Sequence, residues 1–121
     1  MGISLMLEAI LYHNPKCSKS RKALDLLKKH KINIIQRLYL KETLTKDMLE
    51  EIISLSKLSA RDIIRSSEVE YKENNLDNPN LTQDEILDFI IKYPKLLQRP
   101  IFIFNNTAII ARPPEDILKI I

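Results

Sequence analysis

Glycine and cysteine are almost missing from this chain: its 121 residues contain one of each, Gly2 and Cys17, and no tryptophan at all. With Gly2 the sole glycine, neither a P-loop nor a GxGxxG dinucleotide fingerprint exists. A lone cysteine excludes an intramolecular disulfide, a CxxC redox pair and any multi-cysteine zinc or iron-sulfur site. If Cys17 does chemistry, its partner thiol comes from outside. Long hydrophobic runs are missing too. Residues 3–12 are largely apolar but short, interrupted by Ser4 and Glu8, with no basic n-region and no small-residue cleavage site. This is neither a signal peptide nor a membrane span, and Met6 occupies the position where a myristoylation signal after Gly2 needs a hydroxyl residue. A cytoplasmic location and no membrane partner are expected. Charge of one sign forms no long run: 19 basic and 16 acidic residues are interspersed, for a net charge of +3, and aromatics are only 6%. A nucleic-acid binder would carry a basic stripe or interleaved aromatics, so no nucleic-acid partner is expected.

What is present is a globular balance of 45% hydrophobic and 29% charged residues. The length fits a single domain over residues 1–121 that buries about two-thirds of its unfolded surface, expected to be a monomer. A first strand ends at residues 9–12, stopped by Asn14 and Pro15. A helix follows from Cys17 or Ser18 to near His30, with Ala23, Leu24 and Leu27 on one face. Residues 33–39, carrying Ile34 and Ile35, read as a second strand, and strand, helix, strand makes a parallel pair. The middle is helical. Thr45 caps a helix whose face is Met48, Leu49, Ile52 and Ile53; Ser59, with Asp62 three residues on, opens another. Residues 68–79 are polar and read as a loop. Thr82 with Glu85 repeats the capping box before a helix to about Tyr93. IFIF, Asn105-Asn106 and TAII then read as a hairpin, asparagine supplying positive φ where glycine is missing. Pro114 fits the first turn of a last short helix through Ile121. This order gives an α/β fold: a thioredoxin-like mixed parallel and antiparallel sheet flanked by helices, with a helical insertion.

Cys17 falls at the junction between the first strand and its helix, where unpaired backbone N–H groups and the helix dipole favour a thiolate. The only local basic excess, Lys16, Lys19, Arg21 and Lys22, surrounds it, so a lowered pKa and nucleophilicity are expected. A lone cysteine in an arbitrary place would be read as inert and buried; this position reverses that preference. Ser18 and Ser20 have hydroxyls able to donate to a thiolate or an oxyanion, and they equally suit helix capping. His13 would stabilise the thiolate if protonated and facing the loop, or else be a hydrogen-bonded structural residue. His13, His30 and Cys17 give too few soft ligands for a metal site. Arg21 follows Cys17 by only four positions, so the HCxxxxxR phosphatase loop is absent.

A two-residue turn at Asn105 and Asn106 pairs Phe104 with Thr107, and counting outward sets Arg99 opposite Arg112. Each precedes a proline, which holds the backbone extended there. Like charges facing each other across strands destabilise, whereas an anion between them would explain the pair. Guanidinium forks suit phosphate, sulfate or arsenate. The alternative is two solvated arginines splayed apart. Arg61 and Arg65, four apart on a helical face, and Arg37 at a strand end could join the site or be simply exposed.

The string HNPKCSKSR after a short strand, with RDIIR, LQRPIFI and ARPPE at their spacings, resembles the arsenate reductases of the glutathione- and glutaredoxin-dependent family, over residues 10–121. The resemblance implies that Cys17 is the nucleophile, that His13 helps keep it ionised, and that the three oxyanion-binding arginines are Arg65, Arg99 and Arg112, choosing Arg65 over Arg61. It implies a thioredoxin-like fold with a helical insertion and a cis-proline, Pro100, opening the hairpin. It also implies a mechanism in which the Cys17 thiolate attacks arsenate, water leaves, and glutathione, a cosubstrate rather than a bound cofactor, attacks the adduct to release arsenite, with glutaredoxin recycling the thiol chemistry. Ser18 and Lys19 vary the family pattern, and the segment before Leu7 is additional. Relatives in the family include regulators that bind RNA polymerase, which commonly carry CxxC where this chain has Cys17-Ser18-Lys19-Ser20. A monothiol glutaredoxin-like transferase would need the cysteine but not the arginines.

Overall fold

The protein is described from a computed structural model, over residues 9–121. Gly2 and the additional segment before Leu7 lie outside the described residues. Four short strands form one sheet: β1 (Ala9–Tyr12), β2 (Ile34–Arg37), β3 (Ile101–Phe104) and β4 (Thr107–Ile110), in the order β2-β1-β3-β4. The two central strands read AILY and IFIF, nearly without polar residues, because a central strand is covered on both faces. β1 runs parallel to β2 and antiparallel to β3, and β3 runs antiparallel to β4. In this register Tyr12 lies opposite both Arg37 and Ile101, and Ile101 lies opposite Ile110. One end of the sheet therefore gathers the chain leaving β1, the chain leaving β2, the entry to β3 and the exit from β4. Cys17, Arg37, Arg99 and Arg112 all belong to those segments.

The chain divides into two compact units. Residues up to Glu42 together with Arg99–Ile121 form the first, and Thr43–Gln98 form the second. In the first, helix α1 (Ser18–Lys29) buries Ala23 and Leu27 in a cluster with Ala9, Leu11, Phe102, Ala111 and Ile117. Ile117 comes from Pro114–Lys119, which is a 3-10 helix ending at Lys119 rather than an α-helix reaching Ile121. Its bonds are of the i to i+3 kind, Asp116 N to Pro113 O at 3.0 Å and Ile120 N to Ile117 O at 3.2 Å, the tighter winding used by short segments opened by proline. Phe104 pairs with Thr107, and Asn105 and Asn106 take φ of 51° and 58°, the two left-handed positions of a two-residue hairpin. The Arg99-Pro100 bond is cis, as the resemblance implied, and so is Arg112-Pro113.

The second unit carries α2 (Lys46–Ser56), α3 (Val69–Glu73) and α4 (Gln83–Lys92). The expected Thr45 cap and Thr82 capping box are present: Thr45 Oγ1 accepts from Met48 N, and Thr82 Oγ1 accepts from Glu85 N while Glu85 Oε1 accepts from Thr82 N. The helix expected from Ser59 does not form. Ser59 N and Oγ do donate to Asp62 Oδ2, at 2.8 and 2.9 Å, but only a turn follows. The chain beyond it is drawn into an extended bridge: Ile64 faces Leu97, Arg65 N donates to Leu96 O at 2.7 Å, and Gln98 N donates to Ile63 O at 2.8 Å. Arg61 and Arg65 consequently share no helical face. The polar segment read as a loop over residues 68–79 contains α3, a helix with no buried residue and hence no apolar periodicity to betray it. Among the described residues, no helix is long and apolar enough to cross a membrane.

The hairpin turn gives a direct test. Asn106→Val places a β-branched residue in a left-handed position and is expected to cost about 1–2 kcal/mol, whereas Asn106→Gly costs nothing, both read by chemical denaturation.

Candidate active site

The segment between β1 and α1 is held from within. Asn14 Oδ1 accepts from Lys16 N at 3.0 Å and Asn14 O accepts from Cys17 N at 2.9 Å, closing a tight turn around Pro15. Arg21 Nη1 reaches back from α1 to Pro15 O at 2.9 Å. Cys17 is the N-cap of α1, extended at φ −94° and ψ 123°, and its carbonyl accepts the first helical bond, from Arg21 N at 3.0 Å. The thiol thus sits beside amides that have no partner inside the helix.

Partial burial pushes the Cys17 thiol up, but opposing contributions outweigh it: foremost the Ser20 amide, then the Arg99 guanidinium and the Lys19 amide. The net result is a pKa below that of an ordinary thiol. The sulfur closes no cap hydrogen bond of ordinary geometry, so the attraction is one of dipoles and charge across weak contacts. Two of the four basic residues near Cys17 in sequence have other tasks: Arg21 braces the loop, and Lys22 Nζ pairs with Glu115 Oε2 at 2.8 Å. Arg99, distant in sequence, is the cation that acts on the sulfur, a role which spacing along the chain gave no means of finding.

Ser20 is fully buried, and its hydroxyl is turned to the loop. It accepts from Asn14 N at 3.0 Å and lies 2.7 Å from His13 Nδ1. His13 is 3% exposed, and burial first, then the charges of Lys28 and Arg21, hold its ring below the usual imidazole range. At neutral pH the ring is uncharged. Of the two readings of His13, its hydrogen bond to Ser20 fits the hydrogen-bonded structural residue, which reaches the Cys17 loop through that hydroxyl. Ser18 is exposed, and His30 Nδ1 bonds Leu26 O at the far end of α1.

The β3-β4 ladder runs one step past its last strand pair, through Ala111 N to Pro100 O at 2.9 Å, which brings Arg99 and Arg112 abreast as counted. Arg112 is exposed, and its Nη1 donates to Arg99 O at 2.9 Å. This bond explains how two like charges share the position: one nitrogen of the Arg112 guanidinium is held by the other residue's carbonyl. Arg99 is half-buried, and its Nε is buried without a hydrogen-bond partner. Such a donor is costly unless something accepts from it. Arg37 Nε is in the same condition at the end of β2, whose Arg37 carbonyl accepts from His13 N at 2.9 Å. Of the second unit's arginines, Arg61 donates through Nη1 to Leu76 O at 2.9 Å and through Nη2 to Asn78 O, a structural clasp. Arg65 Nε pairs with Glu68 Oε2 at 3.2 Å, both side chains mostly buried.

A strand-to-helix cysteine with a lowered pKa, at the sheet end that also carries two arginine-proline pairs, is the motif set that a family-wide description should detect. A model of the ArsC family matches residues 12–120. This chain belongs to the ArsC family. An arsenate reductase of Haemophilus influenzae is 40% identical over 95% of this chain and 100% of its own length. The structure of an arsenate reductase from Vibrio cholerae superposes with a TM-score of 0.91 at 36% identity, covering 95% of this chain and 98% of that one. The ArsC fold is thioredoxin-like, with a mixed four-stranded sheet and flanking helices, as here. A regulatory protein of Bacillus subtilis, MgsR, is 34% identical over 90% of this chain and 86% of its own, so ArsC relatives are not all named for reduction.

Two titrations test the site. The rate of Cys17 alkylation by iodoacetamide should rise with pH at an inflection below that of a free thiol, and Arg99→Ala should move the inflection upward, since it removes a favourable partner of the charged form. His13, followed by NMR, should titrate below the 6.5 of an unperturbed imidazole. Because its folded pKa is depressed, its contribution to stability is complete above pH 6.5 and is lost as pH falls towards the folded value, a loss that His13→Gln should abolish.

Proposed function

We propose that this protein is an arsenate reductase in which Cys17 is the nucleophile and Arg99 and Arg112 bind the oxyanion. The observation that carries this reading is the thiolate-favouring Cys17 at the same sheet end as Arg99, whose buried Nε awaits an acceptor. Arsenate supplies oxygens of the right charge and shape for such a donor. The resemblance also implies Arg65 as an oxyanion-binding residue, while His13 and Ser20 hold the Cys17 loop through their mutual hydrogen bond and the Asn14 amide.

The thiolate attacks arsenic and expels water, forming an S–As bond. Glutathione then attacks the adduct: its sulfur bonds to Cys17 Sγ, the S–As bond breaks, and the electron pair passes to arsenic, which leaves as arsenite. One cysteine and one glutathione supply the two electrons, and the mixed disulfide left on Cys17 is returned to the thiol by glutaredoxin. The absence of a second cysteine supports this dependence on external thiols. The reaction belongs in the cytoplasm, where such thiols are kept reduced, and needs one copy of the chain and no resident cofactor.

A second reading, a regulator that binds RNA polymerase, is favoured by the likeness to MgsR. The sequence Cys17-Ser18-Lys19-Ser20 speaks against it, since it lacks the paired thiols of such switches. Arsenite formation with glutathione and glutaredoxin decides between them. Cys17→Ser should abolish turnover, and Arg99→Ala should lower kcat/KM by about 10²-fold. A wild-type protein that forms no arsenite and co-purifies with RNA polymerase would establish the regulator instead.

A further inference from the structure

A reductase with one cysteine must bring a second thiol to that cysteine, and nothing so far says where it is held. Beside the Cys17 loop lies a cleft of ≈ 240 Å³, walled by residues 13–16 on one side and by Leu38, Leu40 and Lys41 on the other. The second wall is a turn built on Leu38. The amides of Lys41 and Glu42 donate to its carbonyl at 2.8 and 2.9 Å, and its own amide donates to Glu42 Oε2 at 3.2 Å. The Glu42 carboxylate, the acidic group of that turn, is therefore engaged with backbone. Lys16 and Lys41 are both exposed, and among the described residues neither enters an ion pair. Between them the walls are apolar, with Pro15 and Leu40 both exposed, Leu40 at 42%.

Two free cations over an apolar floor, one of them the residue before the nucleophile, complement a small molecule with carboxylates at its ends and a short carbon arm between. We propose that this cleft is the binding site of the external thiol, a small carboxylate-bearing thiol whose carboxylates face Lys16 and Lys41 and whose sulfur is led towards Cys17. The proposal rests on the reductase reading for its purpose, though not for the cleft itself. The cleft is smaller than the roughly 300–1,000 Å³ of sites that engulf a drug-sized ligand, so it takes one arm of a tripeptide and leaves the rest at the rim. Bound there, the thiol gives up its proton to solvent or to the departing arsenite oxygen, its sulfur bonds to Cys17 Sγ, and the S–As electron pair reduces arsenic from the pentavalent to the trivalent state.

The test uses S-methylglutathione, which keeps the carboxylates and cannot react with Cys17. Titrated into the full chain and followed by amide NMR, it should shift the signals of Asn14, Lys16, Leu40 and Lys41. Lys41→Glu should weaken its binding by about fivefold or more, the scale of reversing one exposed ion pair, while leaving the Cys17 alkylation rate unchanged. The doubly esterified probe should bind as weakly to the wild type. Shifts confined to other surfaces, no shifts at all, or equal affinities for Lys41→Glu or for the ester would overturn the cleft assignment. Binding at the cleft without arsenate turnover would instead overturn the reductase reading and leave the cleft standing; turnover without binding there would do the reverse.

Discussion

Taking a thiol partly out of water favours its neutral form, and the working end of this protein is arranged against that tendency. Cys17 is half-buried, so its surroundings must supply more than desolvation removes. The amides of Ser20 and Lys19 do so because the helix begins at Cys17, and Arg99 does so because β3 enters the sheet at the end where β1 leaves it. The first depends on the turn at Asn14 and Pro15 and on the brace from Arg21, the second on the antiparallel register of β1 and β3. Loss of either would remove a contribution that lowers the Cys17 pKa.

Strands, capped helices and the hairpin were legible in the sequence because their signals are local: apolar runs, Thr with a partner three residues on, and two asparagines between two apolar tetrapeptides. The register of the hairpin followed by counting, and with it the meeting of Arg99 and Arg112. At Ser59 a partner remote in the chain decided the outcome. Ser59 and Asp62 make the bonds of a helix start, but Leu96 and Gln98 capture the following backbone, and no pattern within residues 59–65 records them. The site divides the same way. Cys17 and its helix could be placed from the string around them, whereas the cation acting on the sulfur comes from residue 99, and Arg21 and Lys22 are committed elsewhere. The sequence left the state of His13 open because burial by the fold, not the neighbouring sequence, lowers its pKa.

Membership of the ArsC family accounts for the scaffold more firmly than for the reaction. Relatives named for reduction and for regulation match this chain in sequence over most of their length, as expected when function resides in a few side chains grafted on a common frame.

The asparagine pair at the hairpin carries a chemical consequence of its own. Asn-Gly, the commonest pair for such a turn, is also the sequence most prone to spontaneous deamidation, because an unhindered following amide cyclises readily onto the side chain. In this hairpin Asn105 is followed by Asn106 and Asn106 by Thr107, both of which hinder that ring closure. The turn that sets the two arginines abreast thus obtains its left-handed geometry from residues that also slow its own ageing, and the alignment it enforces should outlast that of a glycine-built counterpart in a long-lived protein.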